Sequence, residues 1–162
     1  MAPTEATRWL TADEQRTWRA WLGINALLAA TLDRQLQHDA AIPHAYYVTM
    51  AMLSEQPGRS CTMSELAAAT RFSPSRLSHA VTKLEANGWI ERRRAEGNAR
   101  QIIATLTDEG MRVVEQVAPI HVEHVRTVLF DALNEEQATA LGDALEAILA
   151  NLIELEDAPG DR

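Results

Sequence analysis

The chain has 162 residues, enough for one domain with a sizeable core or one domain with long extensions. Hydrophobic residues make up 46% and aromatics 5%, with seven glycines and six prolines. This composition favours helices over a many-stranded sandwich and excludes collagen-like and disordered chains. The formal charge is −8, from 15 basic and 23 acidic residues, and taken as a single number it argues against a polyanion as partner.

That number hides an asymmetry. Residues 59–106 hold eight basic side chains (Arg59, Arg71, Arg76, Lys83, Arg92, Arg93, Arg94, Arg100) against four acidic ones (Glu65, Glu85, Glu91, Glu96), a local +4, and the remainder is −12. The middle of the chain is basic, the ends acidic, and the local field is what a polyanion meets first. No run of 18 apolar residues is present, so no membrane partner is expected. The opening segment lacks the basic-then-apolar order of a secretory signal, and Cys61 is the single cysteine. The chain is therefore expected to be cytoplasmic, without an internal disulfide.

In chain order, a long helix is expected to start at Thr11, whose spacing to Glu14 is that of a capping box, and to run to about His38. Trp18, Trp21, Leu22, Asn25, Leu28, Leu32 and Leu36 recur on it at three- and four-residue steps as one stripe. A second helix is expected from Pro43, carrying Tyr46, Tyr47, Met50 and Leu53 and stopping at Gln56-Pro57-Gly58. A third follows Thr62, with Glu65 as its box partner. Ser73 and Pro74 open a fourth, which buries Leu77, Val81 and Leu84 and ends at Asn87-Gly88. Two β-prone runs, 89–94 and 100–106, flank Glu96-Gly97-Asn98 and predict a hairpin. Thr107 caps a fifth helix carrying Val113, Val114, Val117, Ile120, His124 and Val128, with Pro119 expected to bend it. A last helix opens after Asn134, where Leu141, Leu145, Ile148, Leu152 and Leu155 step by four and three as in a coiled coil. Residues 157–162 are expected to fray.

Two short helices joined by a tight turn and followed at once by a basic hairpin have the sequence shape of a winged helix-turn-helix. A recognition helix must bury one face and present small polar and basic groups on the other, so that it lies deep in the major groove. Ser75, Arg76, Ser78, His79, Thr82 and Lys83 fill that outer face, with Ser73 at its start. Arg92, Arg94 and Arg100 bring guanidinium groups on the hairpin to the neighbouring minor groove or its phosphates. Trp18, Trp21, Tyr46, Tyr47 and Met50 are the candidate lining of an aromatic-ligand pocket between the long helix and the winged lobe; the same spacing serves plain core and dimer packing.

Other signals are weaker. Cys61 has one reason to be reactive, the nearby Arg59, and reads as a structural thiol. His121 and His124 put two imidazoles and Glu123 within one turn, and His38 and His44 flank the first loop, but no cysteine accompanies them. No metal ligand and no cofactor is assigned. A Gly-rich phosphate loop, a nucleophile elbow and an HExxH are all missing from the sequence, so no catalytic residue is assigned and no enzyme is expected.

Three segments resemble MarR-family transcription regulators: Met63-Ser64-Glu65-Leu66-Ala67, the run from Ser73 to Arg92 with its Leu84-Glu85-Ala86-Asn87-Gly88 junction, and the hairpin exit Ile103-Ala104-Thr105-Leu106-Thr107-Asp108-Glu109-Gly110. The order of the flanking helices extends the resemblance over nearly the whole chain. It implies a mainly α fold, six helices plus a two-stranded β-wing, as a single domain over residues 1–162. Residues 11–42 and 108–157 would form the dimerisation helices of an intertwined homodimer, and residues 43–107 the winged DNA-binding lobe. It further implies a repressor that reads a palindromic operator in double-stranded DNA and is released by a small aromatic or phenolic molecule. At the wing tip the family carries Asp-x-Arg, where this chain has Asn98-Ala99-Arg100, so the Arg is kept and the Asp is a neutral amide. Arg71 stands where many such turns place Gly, which requires a left-handed backbone or a longer turn. Two alternatives stay open, a redox- or metal-responsive regulator of the same fold and a dimeric adaptor that does not read DNA.

Overall fold

Capping decides where the helices begin. In the computed structural model, which describes residues 7–158, the Thr11 hydroxyl accepts the Glu14 backbone N–H, and the Glu14 carboxylate accepts that of Thr11 at 2.7 Å. Helix α1 (Ala12–Ala40) therefore starts where its capping box puts it. The same device at Thr62 and Glu65 opens α3 (Met63–Thr70), and a third box at Asn134 and Gln137 opens α6 (Glu135–Asp157). The hydrogen bonds from Thr11 and Thr62 hold the Glu14 and Glu65 carboxyls below their usual range. Helix α2 (His44–Ser54) starts one residue later than expected, with Pro43 as its cap. Ser73 caps α4 (Pro74–Ala86). Thr107 caps α5 (Asp108–Val125), its hydroxyl accepting the Gly110 N–H at 3.0 Å. Helix α5 runs through Pro119, and after Val125 the chain widens into a π-helical turn over Arg126–Phe130. Fraying was expected from residue 157, but Asp157 still belongs to α6, and the part of that stretch over 159–162 lies outside the described residues.

The hairpin forms as β2 (Ile90–Ala95) and β3 (Asn98–Leu106), with Ala95 paired to Asn98 across Glu96-Gly97. A third strand, β1 (Ser60–Thr62), pairs with the other edge of β3, giving an antiparallel sheet of order β1-β3-β2. The wing sheet is thus three-stranded where two strands were expected. Three residues are too few to show an alternating pattern, and β1 exists because β3 presents an edge to it.

Leu77, Ala80, Val81 and Leu84 of α4 are buried in a core with Met50 and Leu53 of α2, Leu66 of α3, Ile90 and Leu106 at the base of the wing, and Val114 of α5. A smaller cluster gathers Leu36, Ile42, Tyr47 and Val117. Along α1 only Leu32 and Leu36 are buried, and Trp18 and Trp21 are exposed. The chain forms two compact units, one up to His121 and one from Val122. In the second, α6 leaves Ile148, Leu149, Leu152 and Leu155 exposed. No described helix is long and apolar enough to cross a membrane.

The tightest joint in the lobe lies after α4. Gly88 takes φ +73°, the left-handed conformation that ends the helix. The Trp89 carbonyl then accepts the Thr107 N–H at 3.0 Å, while the Thr107 hydroxyl donates to the Gly88 carbonyl at 2.8 Å. Helix α5 starts so close that a Cβ on Gly110 would lie 2.2 Å from the Trp89 carbonyl oxygen and 2.6 Å from Leu106 Cδ1. No rotamer change relieves a clash with backbone, so Gly110→Ala is expected to destabilise the fold by about 2–3 kcal/mol. Chemical denaturation of parent and variant measures this directly.

Candidate nucleic-acid interface

Burial of one face of α4 fixes the direction of the other. With Leu77, Ala80, Val81 and Leu84 inward, Ser75, Arg76, Ser78, His79, Thr82 and Lys83 are all exposed. Ser73 is also exposed, and its hydroxyl is engaged as the cap, accepting the Arg76 N–H at 3.4 Å and lying 3.3 Å from the Ser75 hydroxyl. The Arg76 guanidinium lies over the Phe72 ring, 4.1 Å from its centroid, a cation–π contact that holds it at the start of the helix. The His79 ring stands 6.5 Å from that of Tyr46 on α2. The turn before α4 contains Arg71 at φ +55°, ψ +27°, so this residue takes the left-handed backbone and the turn is not lengthened. A side chain in that region stores strain of about 1–2 kcal/mol.

On the wing, Arg93, Arg94 and Arg100 are exposed. The Asn98 side-chain oxygen accepts the Arg100 backbone N–H at 3.2 Å, so this amide shapes the wing-tip backbone. Arg92 is placed differently. Its Nε donates to Glu85 Oε2 at 3.0 Å, a terminal guanidinium nitrogen donates to the same oxygen, and its backbone N–H donates to Oε1 at 3.3 Å. The side chains of Arg92 and Glu85 are 27% and 37% exposed, and the Arg92 side chain holds the Glu85 carboxyl below its usual range.

The expected aromatic pocket is not gathered within one chain. Met50 is fully enclosed in the lobe core, where it packs against its neighbours. Tyr47 is buried against Leu36, Ile42 and Val117, and Tyr46 is half-buried. Trp18 and Trp21 precede Leu36 by 18 and 15 residues on the same helix, about 27 and 22 Å along its axis. A single stripe thus serves different neighbours along its length. What the structure does place beside Tyr47 is a pair of histidines. The His121 ring lies 4.7 Å from Tyr47 and 5.5 Å from His44, and Asp33 accepts the His44 backbone N–H at 2.8 Å. Burial lowers the His44 pKa from 6.5; the Asp33 charge opposes this and the Arg76 charge adds to it.

Among the described residues no group of three or more His, Cys, Asp or Glu side chains is placed to hold a metal. Burial, aided by the Glu65 charge, pushes the Cys61 thiol up, which works against a reactive thiolate. Sequence reasoning missed Phe72 and Glu85. Phe72 stands four residues before Arg76, a helical contact spacing disguised by the intervening Ser73-Pro74 break. Glu85 meets Arg92 across a helix-to-strand turn, where no periodicity applies.

An exposed polar second helix, joined through Gly88 to a hairpin with exposed arginines, defines the winged helix-turn-helix class of DNA-binding protein. The MarR family model matches residues 42–101. The fold matches that of Sco3205, a MarR family transcriptional regulator from Streptomyces coelicolor solved in complex with DNA, with a TM-score of 0.85 and 44% identity over 92% of this chain and 93% of that one. It matches AbsC, a MarR family transcriptional regulator from the same organism, with a TM-score of 0.83 and 39% identity over 91% and 99% of the two chains. The HTH-type transcriptional regulator PecS of Dickeya dadantii is 32% identical over 90 residues, 56% of this chain and 54% of PecS, so the match spans about half of that relative's length. The chain belongs to the MarR family of transcription regulators. Its relatives regulate transcription and are not enzymes.

The half-buried His44 gives the lobe a testable pH dependence. Its pKa lies below 6.5 in the fold and at about 6.5 in the unfolded chain, so between those values the unfolded state binds more protons. Stability is therefore expected to fall as pH drops from 6.5 toward the lowered value, and to be independent of this group above 6.5. His44→Gln should flatten that part of the profile, measured as urea midpoints across a pH series.

Proposed function

We propose that this chain is a cytoplasmic, two-fold symmetric dimer that binds a palindromic operator in double-stranded DNA and represses transcription until a small aromatic or phenolic molecule releases it. The outer face of α4 carries this reading. Its short Ser75, Ser78 and Thr82 side chains let the helix sit deep in the major groove, where Arg76 and His79 read base edges and Lys83 meets phosphate. Arg94 and Arg100 on the wing reach the adjacent minor groove. Residues 43–107 are then the DNA-reading lobe, and residues 11–42 with 108–157 the dimerisation helices.

The exposed apolar side chains of α1 and α6 support the dimer. Trp18, Trp21 and Leu22 on α1, and Ile148, Leu152 and Leu155 on α6, are rows that a stable chain does not leave in water. Among the described residues none after Val117 is buried, and a second copy of the chain, with the same faces, is the occupant that symmetry provides. Two lobes related by that symmetry would read half-sites about 34 Å apart, one turn of DNA. For the effector, Trp18, Trp21, Tyr46 and Tyr47 remain the candidate residues, with the second copy needed to bring the tryptophans to the lobe. A ligand there shifts the population toward a lobe spacing that no longer fits the half-sites.

Two outcomes test the reading. Arg76→Ala and His79→Ala are each expected to weaken binding to an operator selected from a random duplex pool by about 1–3 kcal/mol, with a much smaller loss on unselected duplex. Fluorescence anisotropy on both DNAs measures the ratio; equal losses would assign these residues to phosphate contact, and no salt-dependent duplex binding at all would leave the adaptor reading. Leu152→Asp is expected to abolish the dimer, because an unpaired carboxylate buried in an apolar interface costs several kcal/mol or more. Sedimentation that showed an intact dimer would place the partner of α6 elsewhere.

A further inference from the structure

Glu85 is out of place on a lobe that approaches phosphates. It stands seven residues, two helical turns, after Ser78 and so flanks the outer face of α4. There a carboxylate repels a DNA backbone unless it does something that offsets the repulsion. All three of its N–H donors come from Arg92, in the third position of β2: two guanidinium nitrogens on Oε2 and the backbone N–H on Oε1.

We infer that the Glu85–Arg92 pair is the strut that fixes the wing's angle to the recognition helix, so that Glu85 promotes DNA binding despite its charge and Arg92 serves as its partner in place of a phosphate contact. The inference rests on the DNA-binding reading above. The other ties at the wing base, Thr107 to Gly88 and Trp89 and the burial of Ile90 and Leu106, hold the point where the strands leave the core. They act close to the pivot. The strut acts further along β2, and a planar guanidinium sharing two N–H groups with one carboxylate resists rotation in a way that a point charge does not.

The lever arm makes this matter. From the pivot at Ile90 the strand continues five residues to Ala95, about 17 Å. A rotation of about 10° at the base therefore moves the tip by about 3 Å, more than a hydrogen bond to a phosphate or a base edge tolerates. Arg94 lies two residues beyond Arg92 and so on the same face of the strand, opposite Ile102 where Arg92 is opposite Ala104. The strut thus aims Arg94 directly.

The test is a set of anisotropy titrations over a salt series, using the full chain and the duplex that the parent protein selects from a random pool. Glu85→Ala and Arg92→Ala are each expected to lower affinity about tenfold, and the double variant no further than either single one, because both remove the same strut. The salt slope should change by less than the one unit that a lost phosphate contact takes away. Arg92→Lys should be nearly as weak as Arg92→Ala, since an ammonium keeps the charge and loses the fork. The opposite pattern overturns the inference: Glu85→Ala binding more tightly, Arg92→Ala losing about one unit of slope, and Arg92→Lys binding like the parent would make Arg92 a phosphate contact. Melting curves on each variant separate a lost fold from a lost strut, and Glu85→Gln, which keeps the side-chain shape, repeats the comparison if Glu85→Ala is unfolded at the assay temperature. A parent protein that selects no duplex removes the DNA-binding reading and the strut with it, whereas a parent that binds alongside opposite-signed single variants removes the strut alone.

Discussion

At the carbonyl oxygen of Trp89 four elements of the lobe meet. The recognition helix has just ended through Gly88, β2 is about to begin, β3 has just returned, and α5 starts so near that residue 110 has no room for a side chain. A carbonyl enclosed in this way must find a donor, and the Thr107 N–H supplies it at 3.0 Å. The hairpin is therefore clamped at the place where it both leaves and rejoins the fold. Position and direction at this joint are set by backbone hydrogen bonds and close packing, which salt barely affects. The charged side chains of the wing lie further out and take no part in this joint.

The same division appears in the electrostatics. Of the eight basic residues between 59 and 106, Arg92 is neutralised by Glu85 and Arg59 lies 3.2 Å from Asp108. Those that stay exposed on α4 and the wing are Arg76, Lys83, Arg93, Arg94 and Arg100, on α4, β2 and β3. The rest of the chain carries −12, and α6 opens with Glu135 and Glu136. A polyanion responds to this local field before it responds to the net charge. An overall charge of −8 is thus compatible with DNA binding.

How much of this was legible in the sequence follows from the range of each interaction. Capping boxes at Thr11 and Thr62 act over three residues, and both were readable with the helix starts they impose. The inward Leu77, Val81 and Leu84 were readable from their spacing, and the outward residues of α4 follow from them. Strand β1 was not, because three residues become a strand only when β3 lies alongside them. Glu85 and Arg92 were each visible as charges, but their pairing is made by a turn that brings residue 92 back over the end of α4. Met50 shows the opposite limit: its spacing placed it on the right face of α2, and spacing does not say whether that face meets a core or a cavity. The stripe from Trp18 to Leu36 is real but longer than any one neighbour can cover.

That stripe has a consequence for how much active protein a cell holds. Helix α1 has 29 residues and is about 44 Å long, yet its own chain buries only Leu32 and Leu36 near its end. An exposed helix of that kind is marginal in water even when well capped, since most helical stability in proteins comes from the packing of a face. On the dimer reading, the first half of α1 borrows its order from the second copy, so assembly and folding are one equilibrium and mass action governs both. The concentration of operator-ready molecules then rises roughly as the square of the chain concentration at low expression. On the same reading, diluted chains lose the pairing that two half-sites require, which would give regulation a threshold without any effector being present.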